Sequence, residues 1–373
     1  MNTDAVLAVP TDADRAPSTA PSPLLDPYHG PALQLPNRVA MAPMTRSRAD
    51  DATGVPTAMM AEYYTQRAAA GLIVSEGIWP HRLGKGGPGV PGLTDAAQVE
   101  GWRRVTGAVH GAGGRIFAQL WHVGRVSHPD LLDGERPVAP SAVAVAHGVI
   151  HTAAGPKDYV RPRRMLPGEV VEAIEAHAAA ARNAVDAGFD GVEINAAYGY
   201  LPAQFLSDSA NLRTDAYADR IRFVVDLVEA VAAAIGPGRT ALRISPDNRL
   251  HDIVEADPAR RYHRLAAALD RMGLAYLHVV QSGEYPALED LRPRWRGMLV
   301  GSYDGPEPGD REQAERALRS GLADVYAFGR LFLANPDLPQ RIATDAKLAT
   351  PRASGLYGGG AEGYLDYPAL TVG

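Results

Sequence analysis

Two tyrosines follow a polar residue in the segment Asn195-Ala-Ala-Tyr198-Gly-Tyr200. A phenol hydroxyl beside a bound cofactor can donate a proton to a developing carbanion, which is general acid catalysis. The alternative is that both rings pack against apolar neighbours and place their hydroxyl groups at the solvent edge. The sequence leaves both interpretations open, but it makes Asn195, Tyr198 and Tyr200 candidates for chemistry.

Arg243 indicates a site for an anionic or electron-rich ligand. It stands inside the apolar run ALRISP, where a buried cation needs an anionic or carbonyl partner. The N1/O2 edge of a flavin and a substrate carboxylate would each serve as that partner.

Two glycine-containing pairs, Gly301-Ser302 and Gly329-Arg330, each end a short apolar run. In parallel barrels, such turns after the last two strands expose backbone N–H groups to a phosphate, and a nearby arginine completes the anion site. The alternative is two tight turns with Arg330 on the surface. The positions of the pairs favour a phosphate site.

Eight short, almost continuously apolar runs carry these residues, as is typical of strands buried on both faces. The runs are NRVAMAPM (the 38–45 region), GLIVSEG, RIFAQLW, GVEIN, ALRISP, AYLHVVQ, GMLVGSY and VYAFGR. Amphipathic helical patterns lie between most of them, and Gly188, Gly273 and Gly321 stand where helices should end. The alternation predicts an α/β fold, specifically a closed (β/α)8 TIM barrel.

The carboxyl ends of the strands in such a barrel meet at one rim, where polar residues are typical of function. Any one of these strand ends is compatible with a purely structural role. Their convergence predicts that the active site lies at this rim. The polar or glycine-containing strand ends are Pro43-Met44-Thr45, Glu76-Gly77, Gln119 to His122, Asn195, Arg243, Gln281-Ser282, Gly301-Ser302 and Gly329-Arg330.

Composition narrows the classes of protein. The 373 residues are 46% hydrophobic and carry a formal net charge of -6, so there is no global basic field for nucleic acid. The absence of cysteine excludes disulfides and thiolate chemistry, and we predict no metal site. No apolar run approaches the roughly 18 residues of a membrane span, and the N-terminus lacks a signal-peptide pattern. These features favour a cytoplasmic protein.

Two segments fall outside the strand and helix pattern. Residues 1–24 are rich in Ala, Pro, Ser and Thr and predict a disordered N-terminal extension, which leaves 25–373 as one barrel domain. Residues 122–166 form an unusually long connection after the third strand, with scattered Pro, Gly and His. A connection of this length predicts a capping subdomain or lid over the barrel mouth.

From Pro36 to Leu370 the sequence resembles the old yellow enzyme family of FMN-dependent NAD(P)H ene-reductases. Several long matching stretches occur in the same order as in the family. The most distinctive are NRVAMAPMTRSRA (37–49), EYYTQRAAAGLIVSEG (62–77), FAQLWHVGRVSHP (117–129), PVAPSAV (137–143), QFLSDSANLRTDAY (204–217), AFGRLFLANPDLPQR (327–341) and YGGGAEGYLDYP (357–368).

The resemblance implies a bound FMN and assigns contacts to particular positions. The flavin ring would lie beside Pro43, Met44 and Thr45, with Gly77 and Gln119 at its pyrimidine side and Arg243 at N1/O2. The phosphate would lie against Gly301, Ser302, Gly329 and Arg330. Trp121 and Tyr364 would line the substrate pocket above the flavin.

The resemblance also implies a reaction. Family members use NAD(P)H to reduce FMN and then deliver hydride to the β-carbon of an α,β-unsaturated carbonyl compound. A tyrosine protonates the α-carbon, and Tyr200 occupies that position. Two side chains in a His-x-x-Asn or His-x-x-His pattern hydrogen-bond the carbonyl and stabilise the enolate charge.

At that pair of positions the sequence departs from the family pattern. Asn195 stands in place of the first histidine, and it is a shorter and uncharged donor. Tyr198 stands in place of the second residue and brings a bulky ring whose hydroxyl can also donate. Loss of one such donor costs on the order of 10²–10³ in rate, so this departure bears directly on the reaction.

Three functions are therefore compatible with the sequence. The first is an FMN-dependent oxidoreductase that reduces the C=C bond of an unsaturated carbonyl compound, on a specialised metabolite. The second is a redox-silent FMN barrel repurposed as a cyclase or isomerase for a polyene substrate in a biosynthetic pathway. The third is a flavin-binding protein without catalysis. Family members occur as monomers, dimers and tetramers, and a homodimer is among the assemblies we consider.

Overall fold

A computed structural model of the protein describes residues 21–304 and 311–370. Within these residues, eight strands form a closed barrel in which each strand is parallel to both neighbours, and the last strand pairs with the first. The strands are β1 (Val39–Met41), β2 (Leu72–Ile78), β3 (Ile116–Leu120), β4 (Gly191–Ala196), β5 (Thr240–Ile244), β6 (Tyr276–Gln281), β7 (Leu299–Tyr303) and β8 (Val325–Phe328). The predicted (β/α)8 barrel and its eight strands are confirmed.

Helices alternate with the strands and cover the outside of the barrel. α3 begins at a proline in its first turn and ends before Gly188, whose φ of 88° only glycine adopts readily. α3 packs against α5, and α1 packs against α2. The helices are α1 (Ala58–Thr65), α2 (Ala96–Gly111), α3 (Pro167–Asp186), α4 (Leu201–Leu206), α5 (Arg222–Ile235), α6 (Pro258–Leu269), α7 (Ala287–Leu291), α8 (Arg311–Arg319), α9 (Arg330–Ala334) and α10 (Leu338–Ala343).

The register of four neighbouring strands brings their inward-facing polar residues together. Gln119 on β3 pairs with Glu193 on β4, and Asn195 pairs with Arg243 on β5. Arg243 in turn pairs with His278 on β6. Because parallel strands have a fixed stagger around a barrel, these side chains from distant parts of the sequence share one end of its interior.

The long segment after β3, residues 122–166, contains short elements of its own. Val138–Ala139 pairs with Arg163–Arg164, and Val149–Thr152 forms an antiparallel hairpin with Gly155–Asp158. Side chains from this segment line the cavity described below, so it lies over the barrel mouth, where the sequence places the capping subdomain.

At the other end of the chain, residues 1–20 of the predicted extension lie outside the described residues. Residues 21–24 already pack on the barrel, because Leu24 is buried and the Ser22 hydroxyl donates to Glu315 Oε1 at 2.7 Å. The packed part of the chain therefore begins before residue 25. Among the described helices, none is long and apolar enough to cross a membrane.

Candidate active site

A cavity of about 1560 Å³ opens at the carboxyl ends of the barrel strands. A smaller space of about 170 Å³ adjoins it near the ends of β7 and β8, and the two share lining residues such as Met44 and Arg243. The capping segment contributes Val126, Ile150 and Tyr159 to the wall of the larger cavity. The cavity therefore lies between the barrel rim and residues 122–166.

Most of the residues predicted from the sequence meet in these two spaces. The larger cavity is lined by residues from both halves of the chain, and the smaller one holds three of the four residues assigned to the phosphate. The predicted residues in the larger cavity are Pro43, Met44, Thr45, Gln119, Trp121, Asn195, Tyr198, Tyr200, Arg243 and Arg330. Those in the smaller space are Pro43, Met44, Tyr198, Arg243, Ser302, Gly329 and Arg330.

Neither Gly77 nor Gly301 lines the two spaces, and the cofactor contacts of both stay predictions. A Cβ on Gly77 would come within 2.5 Å of the Trp121 ring, so Gly77 lies behind the indole and makes room for it. Gly301 faces Ala323, since a Cβ there would lie 3.2 Å from that side chain. Successive residues of a strand point to opposite faces, so Ser302 faces the interior and Gly301 does not.

Tyr364 lies in the core instead of lining the cavity. Its ring stacks on Tyr63 with the centroids 4.1 Å apart, and the Arg48 guanidinium lies 4.2 Å from its centroid. The tyrosine of the same motif that lines the cavity is Tyr357, which is 72% exposed. The prediction for Tyr364 is thus corrected to Tyr357.

Two buried arginines fix the glycine-rich segment that carries Tyr357. Arg46 donates to the carbonyl oxygens of Leu356 (2.9 Å) and Gly363 (2.7 Å), and Arg48 donates to that of Gly355 (3.0 Å). Both arginines come from the loop that directly follows Thr45. The wall formed by residues 43–48 and the C-terminal wall of the cavity are therefore held together by charge-assisted hydrogen bonds.

Arg243 is a buried cation at the wall of both spaces. It is 6% exposed, and its buried Nε has no hydrogen-bond partner among the described residues. Nη2 lies 3.4 Å from the Tyr198 hydroxyl, and the guanidinium carbon lies 5.1 Å from the centre of that ring. A buried donor without a partner is costly, so an electron-rich ligand in the cavity fits this site.

The backbone of Tyr198 has an unusual conformation. Its φ is 55°, in the left-handed region that side chains rarely adopt. The Ser245 hydroxyl accepts from its N–H at 2.9 Å, and its carbonyl oxygen lies 2.7 Å from His251 Nδ1. Burial raises the pKa of the Tyr198 phenol, although the Arg243 guanidinium partly offsets the effect. Tyr198 is therefore a protonated donor beside a cation.

Tyr200 directly precedes α4, and its side chain lines the larger cavity. Its ring lies edge-on to Trp121, and the His251 ring is 5.5 Å away. Burial raises the pKa of this phenol well above its ordinary value, so the proton stays on oxygen at neutral pH. The hydroxyl is thus a proton donor whose ring is fixed on two sides.

The Asn195 side chain is oriented by two hydrogen bonds. Its Oδ1 accepts from the Ala197 N–H at 3.0 Å, and its Nδ2 donates to Gln119 Oε1 at 3.1 Å. Because an amide nitrogen carries two hydrogens, one N–H of Asn195 remains for a ligand in the cavity.

Sequence reasoning missed a buried pair beneath this layer, Glu193 and His278. Both side chains are 0% exposed, and Glu193 Oε2 lies 2.9 Å from His278 Nδ1. An isolated carboxylate inside an apolar strand (GVEIN) is the signal that could have found it, since a buried charge needs a partner.

The fold and site together define a class: a parallel (β/α)8 barrel whose rim holds a large cavity with a buried arginine and paired tyrosines. The chain matches the NADH:flavin oxidoreductase / NADH oxidase family over residues 23–349. It belongs to this family, which confirms the resemblance to old yellow enzymes, and it is an FMN-dependent oxidoreductase.

Relatives of known sequence agree with this assignment. The chain is 39% identical to 12-oxophytodienoate reductase 7 of Oryza sativa subsp. japonica, over 94% of this chain and 95% of that protein. It is also 39% identical to a probable flavin mononucleotide-dependent alkene reductase of Leishmania infantum, over 90% of this chain and 94% of that protein.

Solved structures share the architecture. Morphinone reductase superposes with a TM-score of 0.88 at 41% identity, covering 95% of this chain and 98% of its own. An old yellow enzyme homologue from Zymomonas mobilis gives a TM-score of 0.89 at 41% identity, covering 94% of this chain and all of its own. Morphinone reductase has also been solved in complex with tetrahydroNAD.

Proposed function

We propose that this protein reduces the C=C bond of an α,β-unsaturated carbonyl compound, with NADH or NADPH as the reductant and a specialised metabolite as the substrate. The observation that carries the proposal is the meeting of Asn195, Tyr198 and Tyr200 with Arg243 in one cavity under the lid. The relatives named alkene reductase, 12-oxophytodienoate reductase and morphinone reductase support the same class of substrate.

The residues present fit an FMN in the two joined spaces. Pro43, Met44 and Thr45 would form one wall of the flavin site. Gln119 and Arg243 would meet its polar edge, and the unpartnered Nε of Arg243 would gain an acceptor there. FMN supplies hydride transfer when it is bound.

Ser302, Gly329 and Arg330, which line the smaller space, would hold the phosphate of the cofactor. This arrangement matches the phosphate sites found after the last two strands of such barrels. The smaller space adjoins the larger one at Arg243, as one extended ligand requires.

Asn195 and Tyr198 would bind the substrate carbonyl. The spare N–H of Asn195 and the Tyr198 hydroxyl are both donors at the cavity wall, and donors at that oxygen stabilise the negative charge that develops there. The Arg243 guanidinium beside the Tyr198 ring adds positive charge to the same place.

Tyr200 would donate the proton that completes the reaction. Net reduction adds one hydride and one proton across the C=C bond, while NAD(P)H becomes NAD(P)⁺. A phenol kept protonated by burial is suited to this step. Trp121 and Tyr357, which line the same cavity, would position the substrate.

The second candidate is a redox-silent cyclase or isomerase, motivated by the replacement of both usual carbonyl-binding residues at Asn195 and Tyr198. The intact donor groups at both positions and the redox names of the relatives weigh against it. Anaerobic mixing of the purified yellow protein with NADPH or NADH separates the two. We expect rapid bleaching of the flavin and reoxidation by cyclohexenone. A flavin indifferent to both nicotinamides would overturn the proposal.

A further inference from the structure

A buried chain of hydrogen bonds runs beneath the cavity and includes a carboxylate to which the proposed reaction assigns no part. Asn195 Nδ2 donates to Gln119 Oε1 at 3.1 Å, and Gln119 Nε2 donates to Glu193 Oε1 at 2.7 Å. On the far side, His278 Nδ1 lies 2.9 Å from Glu193 Oε2, and His278 Nε2 lies 3.0 Å from Ser302 Oγ. The chain joins the carbonyl-binding end of the site to the phosphate end.

Charge fixes where the hydrogens lie. Burial raises the pKa of Glu193, but the hydrogen bonds from His278 and Gln119 and the charge of Arg243 offset this, so its pKa lies below the ordinary value. Burial lowers the pKa of His278 and keeps the ring neutral. An ionised carboxylate only accepts hydrogen bonds. The His278 hydrogen therefore lies on Nδ1, and Nε2 accepts the hydrogen of the Ser302 hydroxyl.

The same reasoning fixes the direction of the amides. Because Glu193 accepts, Gln119 must turn its nitrogen toward Glu193 and its oxygen toward Asn195. That oxygen requires the Asn195 nitrogen, which leaves Asn195 Oδ1 for the Ala197 N–H at 3.0 Å. One hydrogen on each amide nitrogen is left for a ligand, so one carboxylate sets the polarity of two side chains at the cavity.

We propose that Glu193 is a positioning residue, which orients Gln119 and Asn195 toward the cofactor and substrate and directs the Ser302 hydroxyl hydrogen away from the phosphate. This inference rests on the proposed function for its ligands. Burying an ionised carboxylate is unfavourable unless its hydrogen bonds are well made, and here both oxygens of Glu193 and both ring nitrogens of His278 have a partner.

The substitution Glu193→Gln tests the inference because it breaks the polarity of the chain. The carboxylate has two acceptor oxygens and the introduced amide has one, so it cannot accept from both Gln119 and His278. Either Gln119 turns over and presents its nitrogen to that of Asn195, or His278 moves its hydrogen to Nε2 and reverses the Ser302 hydroxyl. We expect FMN affinity to fall at least tenfold and the flavin midpoint potential to become more positive, since a buried negative charge is lost.

The double variant Glu193→Gln/Gln119→Glu is the rescue. The introduced carboxylate accepts from both neighbouring amide nitrogens, and the amide at 193 still accepts from His278, so every bond is remade with the charge moved one place. We expect the thermal stability lost in the single variant to return.

Glu255→Gln is the matched control, because Glu255 is also a buried carboxylate with two donors, Tyr262 and the Asp247 N–H. It lies outside both cavities, and FMN affinity should not change.

A measurement on the unsubstituted holoprotein locates the His278 hydrogen even if the variants do not fold. ¹⁵N shifts of labelled histidine report the tautomer, and Ser302→Ala identifies the His278 signals by moving them. We expect the Nδ1–H tautomer. The Nε2–H tautomer, a charged ring, or an unchanged FMN affinity and potential in Glu193→Gln would overturn the inference. None of these readouts uses an enone, so a protein that fails to reduce enones would defeat the proposed function without deciding this inference.

Discussion

The ring of Tyr200 meets the indole of Trp121 edge-on, with the ring centroids 5.0 Å apart and the planes at 88°. This contact fixes the phenol that we propose as the proton donor. Tyr200→Phe keeps the contact and removes the hydroxyl. We expect reoxidation of the reduced flavin by an enone to slow by about 10²-fold, the lower range for general acid catalysis.

In the same variant, reduction of the flavin by NADPH should be unchanged, because that half-reaction needs no proton from Tyr200. Stopped-flow absorbance of the flavin measures the two half-reactions separately. Tyr285→Phe is the control, since Tyr285 bonds Asp290 away from the cavity. Equal slowing of both half-reactions in Tyr200→Phe would contradict the role of this residue.

Arg243→Met should weaken FMN binding by more than tenfold. The substitution removes the buried guanidinium, whose Nε has no protein partner among the residues described, and leaves an apolar side chain of similar length. Flavin fluorescence titration of the apoprotein gives the dissociation constant. Arg261→Met removes another buried arginine, which pairs with Asp208 at 2.7 Å outside the cavity, and should lower stability but not affinity.

Restoring the usual carbonyl-binding pair should raise the activity toward simple enones. Asn195→His supplies a stronger donor, and Tyr198→Asn replaces the ring that lies against Arg243 with a small donor. We expect kcat/KM for cyclohexenone to rise about tenfold or more in the double variant. This is less than the roughly 10²–10³-fold that one complete donor contributes, because the native pair already has donors. A double variant that keeps its FMN without a rise in kcat/KM would show that the native pair is already well placed.

Glu76 should make stability depend on pH near neutrality. Burial raises its pKa from 4.5 to about 7, partly offset by hydrogen bonds from the Arg46 N–H and the Tyr64 hydroxyl. The folded state therefore binds a proton more tightly than the unfolded state. The contribution of Glu76 is fully present below pH 4.5 and is lost as pH rises through 7, by on the order of 3 kcal/mol.

Glu76→Gln removes this dependence, so the free energy of unfolding of the native protein minus that of the variant should fall between pH 4.5 and 7.5. Urea denaturation at several pH values measures it. The difference is needed because burial also lowers the pKa of His177 to about 4, and that group acts in the opposite direction, losing stability as pH falls from 6.5. A pH-independent difference would show that Glu76 is ionised in the folded protein.

The barrel could be predicted from the sequence because each strand is a short apolar run that can be recognised without knowing which strands lie beside it. The residues at the rim could then be predicted as well, because parallel strands place their carboxyl ends together. The choice between Tyr357 and Tyr364 could not be predicted. It depends on how the glycine-rich loop turns, and Arg46 and Arg48, which are remote in sequence, determine that path.

The Glu193–His278 pair was missed for a related reason. Glu193 is visible as a charge within an apolar strand, but its partner lies two strands away around the barrel, and only the closed register brings them together.

Closure of the barrel by β1 against β8 has a consequence for how the protein is made. Val39 pairs with Tyr326, so the first barrel strand to leave the ribosome cannot close the barrel until the last strand has been made. Contacts between such distant segments form slowly, and Gly329-Arg330 arrives later still. A nascent chain that ends before β8 therefore lacks the seam and the Gly329-Arg330 end of the proposed flavin site, and we expect it not to retain the yellow cofactor.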